Sequence, residues 1–238
     1  MRVVISIGGS VLAPDLDAGR VDGHAAAVER IVGEGCEVGA VVGGGGVARD
    51  YIGIARDLGA NEVQLDHIGI DVTRINARLL IAALDGLAAP SPPHDYEGAG
   101  EALRRGDVPV MGGAMPGQTT DAVAAALAEY VDADLLVYAT SVDGVFSADP
   151  DGDPTAEQYD RLTGTELVDL VAPMSRGAGA SAPVDLLAAK LIERSGMRTI
   201  VLDGTDPDRI AEAVLHGDHT GTDIVPLGAD GDPERWDR

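Results

Sequence analysis

The sequence predicts an α/β domain whose central sheet is mostly parallel and is covered by helices on both faces. Short, continuously apolar segments alternate with segments of helical apolar spacing along the whole chain, which is the pattern of βα units. Strands that lack polar alternation are buried on both faces, as the strands of parallel sheets are. The length of 238 residues suits one domain or two closely joined lobes with a substantial core.

The elements of the first half are predicted from apolar runs, capping residues and glycine turns. In order, they are a strand over Arg2–Ile7, a helix over residues 22–33, a strand over Glu37–Val42, and helices over residues 47–58 and 61–85. Asp22 is the expected N-cap of the first helix, because its carboxylate can accept hydrogen bonds from the free N–H groups there.

The second half continues the alternation. Strands are predicted over residues 108–111, 135–139 and 198–202, and helices over residues 120–131, 183–195 and 206–216. Pro183 suits the start of its helix. Because no repeat or linker divides the chain, we expect one domain over residues 1–228 and an acidic, flexible tail over residues 229–238,.

Three glycine-rich segments directly follow predicted strands, namely Gly8-Gly9-Ser10, residues 43–46 and Gly112-Gly113. Free N–H groups and the positive end of a helix dipole favour anions at such turns, and glycine lets the backbone approach a phosphate closely. In an open α/β sheet the three turns would gather along the carboxyl edge, where ligands bind. The sequence therefore predicts a ligand that carries phosphate.

Several familiar sites have no support in the sequence. The chain has neither a Walker A loop nor a well-placed dinucleotide fingerprint,. Its five histidines and single cysteine form no zinc pattern,, and we expect His67 to be structural or exposed. Ser10 lacks the context of a hydrolase nucleophile,.

Charge is the unusual feature of the composition. The formal net charge is −23, from 40 acidic and 17 basic residues, and Lys190 is the only lysine. The carboxylates are dispersed and no basic stripe is visible, so we expect no nucleic-acid partner. Dispersed carboxylates favour a protein adapted to high salt, where ions screen their repulsion.

The location expected from the sequence is cytoplasmic, without a membrane partner. No apolar run reaches the roughly 18–20 residues of a membrane span. The N-terminus lacks the basic segment and cleavage site of an export signal,. Cys36 is the single cysteine, so no intramolecular disulfide can form,.

Four segments together resemble the amino-acid kinase superfamily, and within it the archaeal type of uridylate (UMP) kinase. They are Ser6-Ile7-Gly8-Gly9-Ser10, residues 42–46, residues 112–121 and residues 140–150. The resemblance implies a three-layer α/β/α sandwich, a homohexamer and the use of Mg²⁺ with ATP. It also implies transfer of the γ-phosphate of ATP to UMP, giving UDP and ADP for pyrimidine nucleotide biosynthesis.

The resemblance also implies roles for residues of the first and fourth segments in binding ATP. Gly9, Ser10 and Arg49 are expected at the phosphates and are the candidate catalytic residues, since N–H groups, a hydroxyl and a guanidinium all suit phosphate. The remaining expected ATP contacts are Gly45, Thr140, Phe146 and Asp149. The family often has tyrosine at the position of Phe146, so here stacking is possible while a hydroxyl contact is lost.

For UMP, the resemblance implies Gly44 beside the phosphate and Asp66 on the ribose hydroxyls. The segment that follows the third glycine turn is expected to wrap the nucleotide, with Gln118 reading uracil and the hydroxyls of the two threonines donating to the α-phosphate. Its residues are Ala114, Met115, Pro116, Gly117, Gln118, Thr119 and Thr120.

One position departs from the superfamily. Many members carry a lysine in the first motif where this chain has Ser6, and that lysine would neutralise charge on the transferring phosphoryl group. Candidate substitutes are Mg²⁺, Arg49 and Lys190. Asp121 and Asp143 are further candidates for indirect metal contacts or loop stabilisation, and no direct metal ligand is predicted.

Three alternative functions stay open. Isopentenyl phosphate kinase shares the fold but usually has a histidine after the second glycine motif, where this chain has Val47-Ala48-Arg49. The polar Gln118-Thr119-Thr120 loop also disfavours an acylglutamate kinase. A non-catalytic nucleotide- or oxyanion-binding storage protein is the third alternative, supported mainly by the lack of a lysine at Ser6.

Overall fold

The computed structural model describes residues 1–150, 152–174, 184–226, 228 and 236. Its strands are β1 (Arg2–Ile7), β2 (Glu37–Val42), β3 (Val110–Met111), β4 (Leu135–Thr140), β5 (Arg161–Thr163), β6 (Thr199–Asp203) and β7 (Thr222–Val225). Its α-helices are α1 (Gly9–Leu12), α2 (Ala18–Gly33), α3 (Gly45–Asp57), α4 (Glu62–Ala83), α5 (Tyr96–Arg104), α6 (Thr120–Tyr130), α7 (Gly164–Met174), α8 (Leu186–Ser195) and α9 (Pro207–His216), with a 3₁₀ turn at Pro14–Leu16.

The strands described form one sheet in the order β3-β2-β1-β4-β6-β7-β5. Neighbouring strands are parallel from β3 to β6, and only β6 and β7 pair in the antiparallel sense. The chain moves from β1 outward through β2 to β3 and then returns to the other side of β1 with β4. The order of strands therefore reverses beside β1, which is where α/β sheets open a crevice at their carboxyl ends.

Helices cover both faces of the sheet, so the fold is a three-layer α/β/α sandwich as predicted. Alternate β1 residues face opposite ways: Ile5 packs into one core and Val4 into the other. Helices α2, α4 and α9 supply the first core, whereas α5, α6, α7 and α8 supply the second. Helix α3 buries little beyond Ala48 and packs on α4 outside the sandwich.

Two helix starts lie more than two residues from the predicted ones. Helix α2 begins at Ala18, and Asp17 is its N-cap because the Asp17 side chain accepts a hydrogen bond from Gly19 N. Asp22 lies inside the helix, so its prediction as N-cap was wrong. Helix α8 begins at Leu186 with Asp185 as its cap, and Pro183 lies outside the described residues.

Five helices and strands were not predicted: the one-turn helix α1, and α5, β5, α7 and β7. Helix α5 contains two glycines in nine residues, and α7 contains Pro173, so their local propensity for helix is weak. Strands β5 and β7 have only three and four residues, and their mutual pairing sets them.

The tail is described at Trp236 alone among residues 229–238. Trp236 lies against the body of the domain, where Trp236 Nε1 donates to Val214 O at 2.9 Å and the Arg198 guanidinium lies 4.7 Å from the ring centre. Within the described residues, no helix combines the length and the apolar character that crossing a membrane requires.

Candidate active site

The glycine turns meet at one edge of the sheet. Gly8 and Gly9 follow β1, Gly43 and Gly44 follow β2, and Gly112 follows β3. Because these three strands are neighbours and parallel, their carboxyl ends deliver the turns side by side.

The first two turns are in direct backbone contact. A Cβ added to Gly9 would overlap Gly45 N and would lie 2.5 Å from Gly43 O, so nothing larger than glycine fits there. Gly45 has φ +64°, a conformation that side chains disfavour, and its own Cβ would lie 2.6 Å from Gly9 C,. The contact places the peptide groups of both turns at one point.

The helices that start at these two turns lack side-chain caps. The caps Gly8 of α1 and Gly44 of α3 accept no N–H through a side chain. By contrast, a side chain caps each of α2, α4, α5, α6, α8 and α9. The first N–H groups of α3 have no intrahelical acceptor, so this end of the helix is suited to an anion.

Arg49 and Ser10 flank the contact of the two turns. Both are exposed, and Arg49 Nη2 lies 3.4 Å from Ser10 Oγ. No carboxylate among the described residues pairs with Arg49, in a chain with 40 acidic residues. An unpaired guanidinium beside free amides is the arrangement that binds phosphate.

Helix α4 carries the segment after β3, which we call the acceptor loop (residues 114–120). Gly113 N donates to Thr73 Oγ1 at 2.7 Å, and Arg74 Nε donates to Gly113 O at 3.2 Å. Four residues further along, Gly117 N donates to Asp66 Oδ2 at 2.8 Å. Asp66 therefore lies beside the predicted UMP segment, with one carboxylate oxygen engaged by the loop itself.

The acceptor loop is largely open to solvent at its tip. Met115 and Gly117 are exposed, Ala114 and Pro116 are half-buried, and Gly117 has φ +82°. The half-buried Gln118 is oriented by Tyr96, whose hydroxyl donates to Gln118 Oε1 at 3.3 Å.

The two threonines that end the loop begin α6. Thr119 Oγ1 accepts from Ala122 N at 3.1 Å and donates to Asp185 Oδ2, so its hydroxyl hydrogen is already used. Thr120 is half-buried at the first position of α6. The first turn of α6 therefore faces the N-terminus of α8.

A pair of carboxylates lies at this junction. Burial, and then the nearby Asp185 carboxylate, raise the pKa of Asp121 to about 7, because both disfavour the ionised form. The neighbouring Tyr138 hydroxyl donates to Asp121 O at 2.8 Å, and burial also raises the pKa of Tyr138.

Three of the predicted ATP contacts lie at the end of β4 or beyond it: Thr140 is the last residue of the strand, and Phe146 and Asp149 follow it. Thr140 Oγ1 bonds Val142 within its own turn, and Gly204 N donates to Thr140 O at 2.9 Å. Phe146 is half-buried and forms an isolated bridge with Gln158, whereas Asp149 is exposed. These residues lie on the other side of β1 from the acceptor loop, which follows β3.

The position of Ser6 is inside the sheet, and its side chain is buried beside β2 and β4. Lys190, a candidate substitute for the missing lysine, is exposed on α8 and pairs with Glu193 at 3.2 Å. Glu193 packs on Gly164, which follows β5 at the edge of the sheet opposite β3. Asp143 pairs with Arg209 at 3.6 Å, and both side chains are exposed.

Five residues at the site were not predicted: Thr73, Arg74, Asn76, Tyr96 and Asp185. Thr73 and Asn76 are polar residues on the buried face of α4, and Asn76 is 3% exposed. A polar residue at an apolar position of a helix is the one sequence signal that could have found them.

The sequence profile of the amino acid kinase family matches residues 1–203 of the chain. The chain belongs to the amino acid kinase family. It is 70% identical over 236 residues to a uridylate kinase of Halobacterium salinarum, covering 99% of this chain and 98% of that protein. Its identity to a uridylate kinase of Haloquadratum walsbyi is 72% over 236 residues, with the same coverage.

A solved structure of this amino acid kinase fold matches closely. The uridylate kinase of Archaeoglobus fulgidus superposes with a TM-score of 0.85 at 46% identity, covering 94% of this chain and 100% of that one. Family membership and the superposition confirm the predicted fold.

Proposed function

We propose that this chain is a nucleoside monophosphate kinase that transfers the γ-phosphate of ATP to UMP, giving UDP and ADP for pyrimidine nucleotide synthesis. The observation that carries the proposal is the backbone contact between the Gly9 and Gly45 turns. At this contact the phosphates of two nucleotides can meet. The adenosine of ATP would lie beyond the end of β4, and the acceptor would lie beside α4. The names of the relatives support UMP as the acceptor.

The residues act mainly by position and charge, as phosphoryl transfer requires. The amides of Gly9, Ser10 and Gly45 and the Ser10 hydroxyl bind ATP phosphate oxygens, and Arg49 neutralises their charge. A phosphate oxygen of UMP is already a nucleophile, so it attacks without a general base.

The acceptor side fixes UMP by polar groups. Gly44 gives room for the UMP phosphate beside the transfer point. Asp66 accepts from ribose hydroxyls with the carboxylate oxygen that Gly117 leaves free. Gln118, which Tyr96 orients, reads the uracil edge, while the N–H groups of Thr119 and Thr120 face the α-phosphate.

Mg²⁺ fits this site as an ion carried by ATP. The described residues contain no group of three or more His, Cys, Asp or Glu side chains suited to holding a metal. Mg²⁺ keeps several waters and prefers substrate phosphates with few protein ligands, which is the coordination this site permits. The ion supplies part of the positive charge that a lysine at Ser6 would provide, and Arg49 supplies the rest.

The test offers the purified protein Mg-ATP in high salt with one acceptor at a time: UMP, CMP, isopentenyl phosphate or acetylglutamate. We expect ADP release with UMP above all others. Turnover with isopentenyl phosphate and none with UMP would contradict the proposal and indicate an isopentenyl phosphate kinase. ATP binding without turnover on any acceptor would indicate a storage protein.

We further propose that the chain works in the cytoplasm as a homo-oligomer, a hexamer by the family pattern. Exposed apolar side chains on α3 and α4 support self-association, because exposed apolar surface marks interfaces. These residues are Tyr51, Ile54, Leu58, Val63, Ile75 and Leu79.

Replacing Ile54 and Leu58 with Glu should break this interface and lower the mass seen by light scattering at 2 M KCl. The control is Leu16→Glu, which places a carboxylate at another apolar residue that is 62% exposed and should leave the mass unchanged. A wild-type mass near 24.3 kDa would contradict the oligomer.

A further inference from the structure

Helix α4 holds both halves of the proposed site through two buried polar side chains. Thr73 is 7% exposed and Asn76 is 3% exposed. They lie three residues apart, on adjacent positions of one helix face. Both side chains are almost fully buried, so their hydrogen bonds are made with the backbone groups that surround them.

Thr73 fixes the start of the acceptor loop. Its hydroxyl donates to Ile70 O at 2.6 Å and accepts from Gly113 N at 2.7 Å. A Cβ on Gly112 would lie 2.5 Å from Thr73 Oγ1 and one on Gly113 would lie 2.9 Å from Ile70 Cγ1. The turn therefore packs directly on α4, and the hydrogen bond from Gly113 N to Thr73 Oγ1 fixes the orientation of the peptide group.

Asn76 fixes the turn between the two nucleotides. Its Nδ2 donates to Gly43 O at 2.8 Å and to Gly44 O at 3.3 Å. In a trans peptide the N–H points opposite to the C=O of the same peptide plane. Because these two carbonyls face Asn76, the N–H groups of Gly44 and Gly45 point away from α4, into the space that phosphates enter.

We propose that Thr73 and Asn76 are positioning residues for phosphoryl transfer: from one face of α4, Thr73 sets the acceptor loop and Asn76 aims the amides between donor and acceptor. The inference rests on the proposed function. It assigns different kinetic consequences to the two side chains. Loss of the Thr73 contact loosens binding of the acceptor, and loss of the Asn76 contact misdirects groups that act on the transferring phosphoryl.

The first test compares Thr73→Val with Thr73→Ser in steady-state kinetics. Val keeps the shape but loses the hydroxyl, whereas Ser keeps the hydroxyl. We expect Thr73→Val to raise KM for UMP about tenfold, with KM for ATP within twofold. Thr73→Ser should restore KM for UMP to within about twofold of wild type. If Thr73→Val does not fold, Thr73→Cys keeps the volume with a much weaker hydrogen-bonding group.

The second test uses Asn76→Asp, which keeps the shape but turns the donor into an acceptor that repels both carbonyls. We expect kcat to fall about 100-fold, with both KM values within about threefold, as for the loss of an oriented donor at a transferring group. If this variant does not fold, Asn76→Ser, which retains a single donor, should show the same selective loss of kcat to a smaller extent.

The matched control is Thr222→Val. Thr222 is fully buried, its hydroxyl donates to Tyr159 O at 2.6 Å, and it accepts from Val145 N at 2.8 Å. The Thr222 hydroxyl thus donates one hydrogen bond and accepts one, as the Thr73 hydroxyl does, but it lies on the side of β1 where the ATP contacts are expected. Thr222→Val should leave KM for UMP unchanged. A rise in KM for UMP equal to that of Thr73→Val would show a general effect of destabilisation and overturn the proposal.

Two further results would overturn it. One is a folded Thr73→Val enzyme with wild-type KM for UMP, and the other is a folded Asn76→Asp enzyme with wild-type kcat. Failure of the proposed function itself is separate, because it shows as absence of UMP turnover by the wild-type protein.

Discussion

Gly9 and Gly45 occupy positions that exclude a side chain because the other turn's backbone fills the space. The need for glycine at these two positions could be predicted from the strand–turn–helix pattern alone. What the sequence could not show is which backbone each glycine touches, because that depends on the pairing of β1 with β2. The overlap gives a sharp prediction.

Gly9→Ala should lower kcat at least about 100-fold, because a Cβ there pushes apart the two turns that position the phosphates,. Gly33→Ala is the control: its Cβ would meet nothing within 4 Å, and alanine in a helix should add about 0.5–1 kcal/mol of stability. Activity of Gly9→Ala near that of wild type would remove the contact from the transfer site.

Asp121 should make folding stability depend on pH. Its pKa is about 7 in the fold, against 3.8 for an unperturbed aspartate. A raised pKa means that the folded state favours the proton, so this contribution is fully present below pH 3.8 and is lost as pH rises to 7.

Asp121→Asn should therefore be more stable than wild type above pH 7, by on the order of 2 kcal/mol after allowing for partial exposure. The difference should shrink toward zero near pH 4. Urea unfolding at fixed high salt measures it at each pH. A difference between the two proteins that stays constant from pH 4 to pH 8 would contradict the assignment.

Strands β6 and β7 are joined by an ion pair as well as by their ladder. Arg198 donates to Asp223 through Nε at 3.0 Å and Nη2 at 2.6 Å, and both side chains are largely buried. Because β7 also carries β5, this pair supports the two strands that the sequence did not predict. Short strands have little local signal, so their existence depends on such long-range contacts.

Arg198→Met should destabilise the fold by about 3 kcal/mol, because the largely buried Asp223 carboxylate then keeps only its weaker pairing with Arg161, at 3.8 Å,. Arg194→Met is the control, since the exposed Arg194–Glu129 pair should contribute less than about 1 kcal/mol. Urea unfolding of both variants compares them. Equal losses of stability would show that burial of the Arg198 pair has no special effect.

At the scale of the whole molecule, the net charge of −23 opposes the compact state through self-repulsion. The Debye length falls from about 10 Å at 0.1 M salt to about 3 Å at 1 M. Composition alone predicts this repulsion, because it depends on the sum of charges and not on their pairing, and adaptation to high salt stays a prediction.

The unfolding temperature should rise steeply between 0.1 and 2 M KCl, followed by circular dichroism at 222 nm. Sucrose at matched water activity is the control, since it favours the folded state by exclusion but does not screen charge. Equal stabilisation by sucrose and KCl, or full stability in dilute buffer, would contradict adaptation to salt.

The overall fold was predictable because burial on both faces imprints a simple pattern on each central strand. The resemblance to the family predicts site roles for Gly9, Arg49, Asp66 and Gln118, and these roles stay predictions. Thr73 and Asn76 were not predictable, because a helix pattern shows which face is buried but not which turn it meets.

The acceptor loop is tied to α4 through main-chain atoms of two glycines: the N and O of Gly113, which directly precedes the loop, and the N of Gly117 within it. The side chains of Ala114, Met115 and Gln118 take no part in that attachment. If the proposed function is right, these three side chains can be replaced without breaking the hydrogen bonds that hold the loop on α4. A library of substitutions at the three positions should then change which acceptor is used while the folded loop stays attached to the helix.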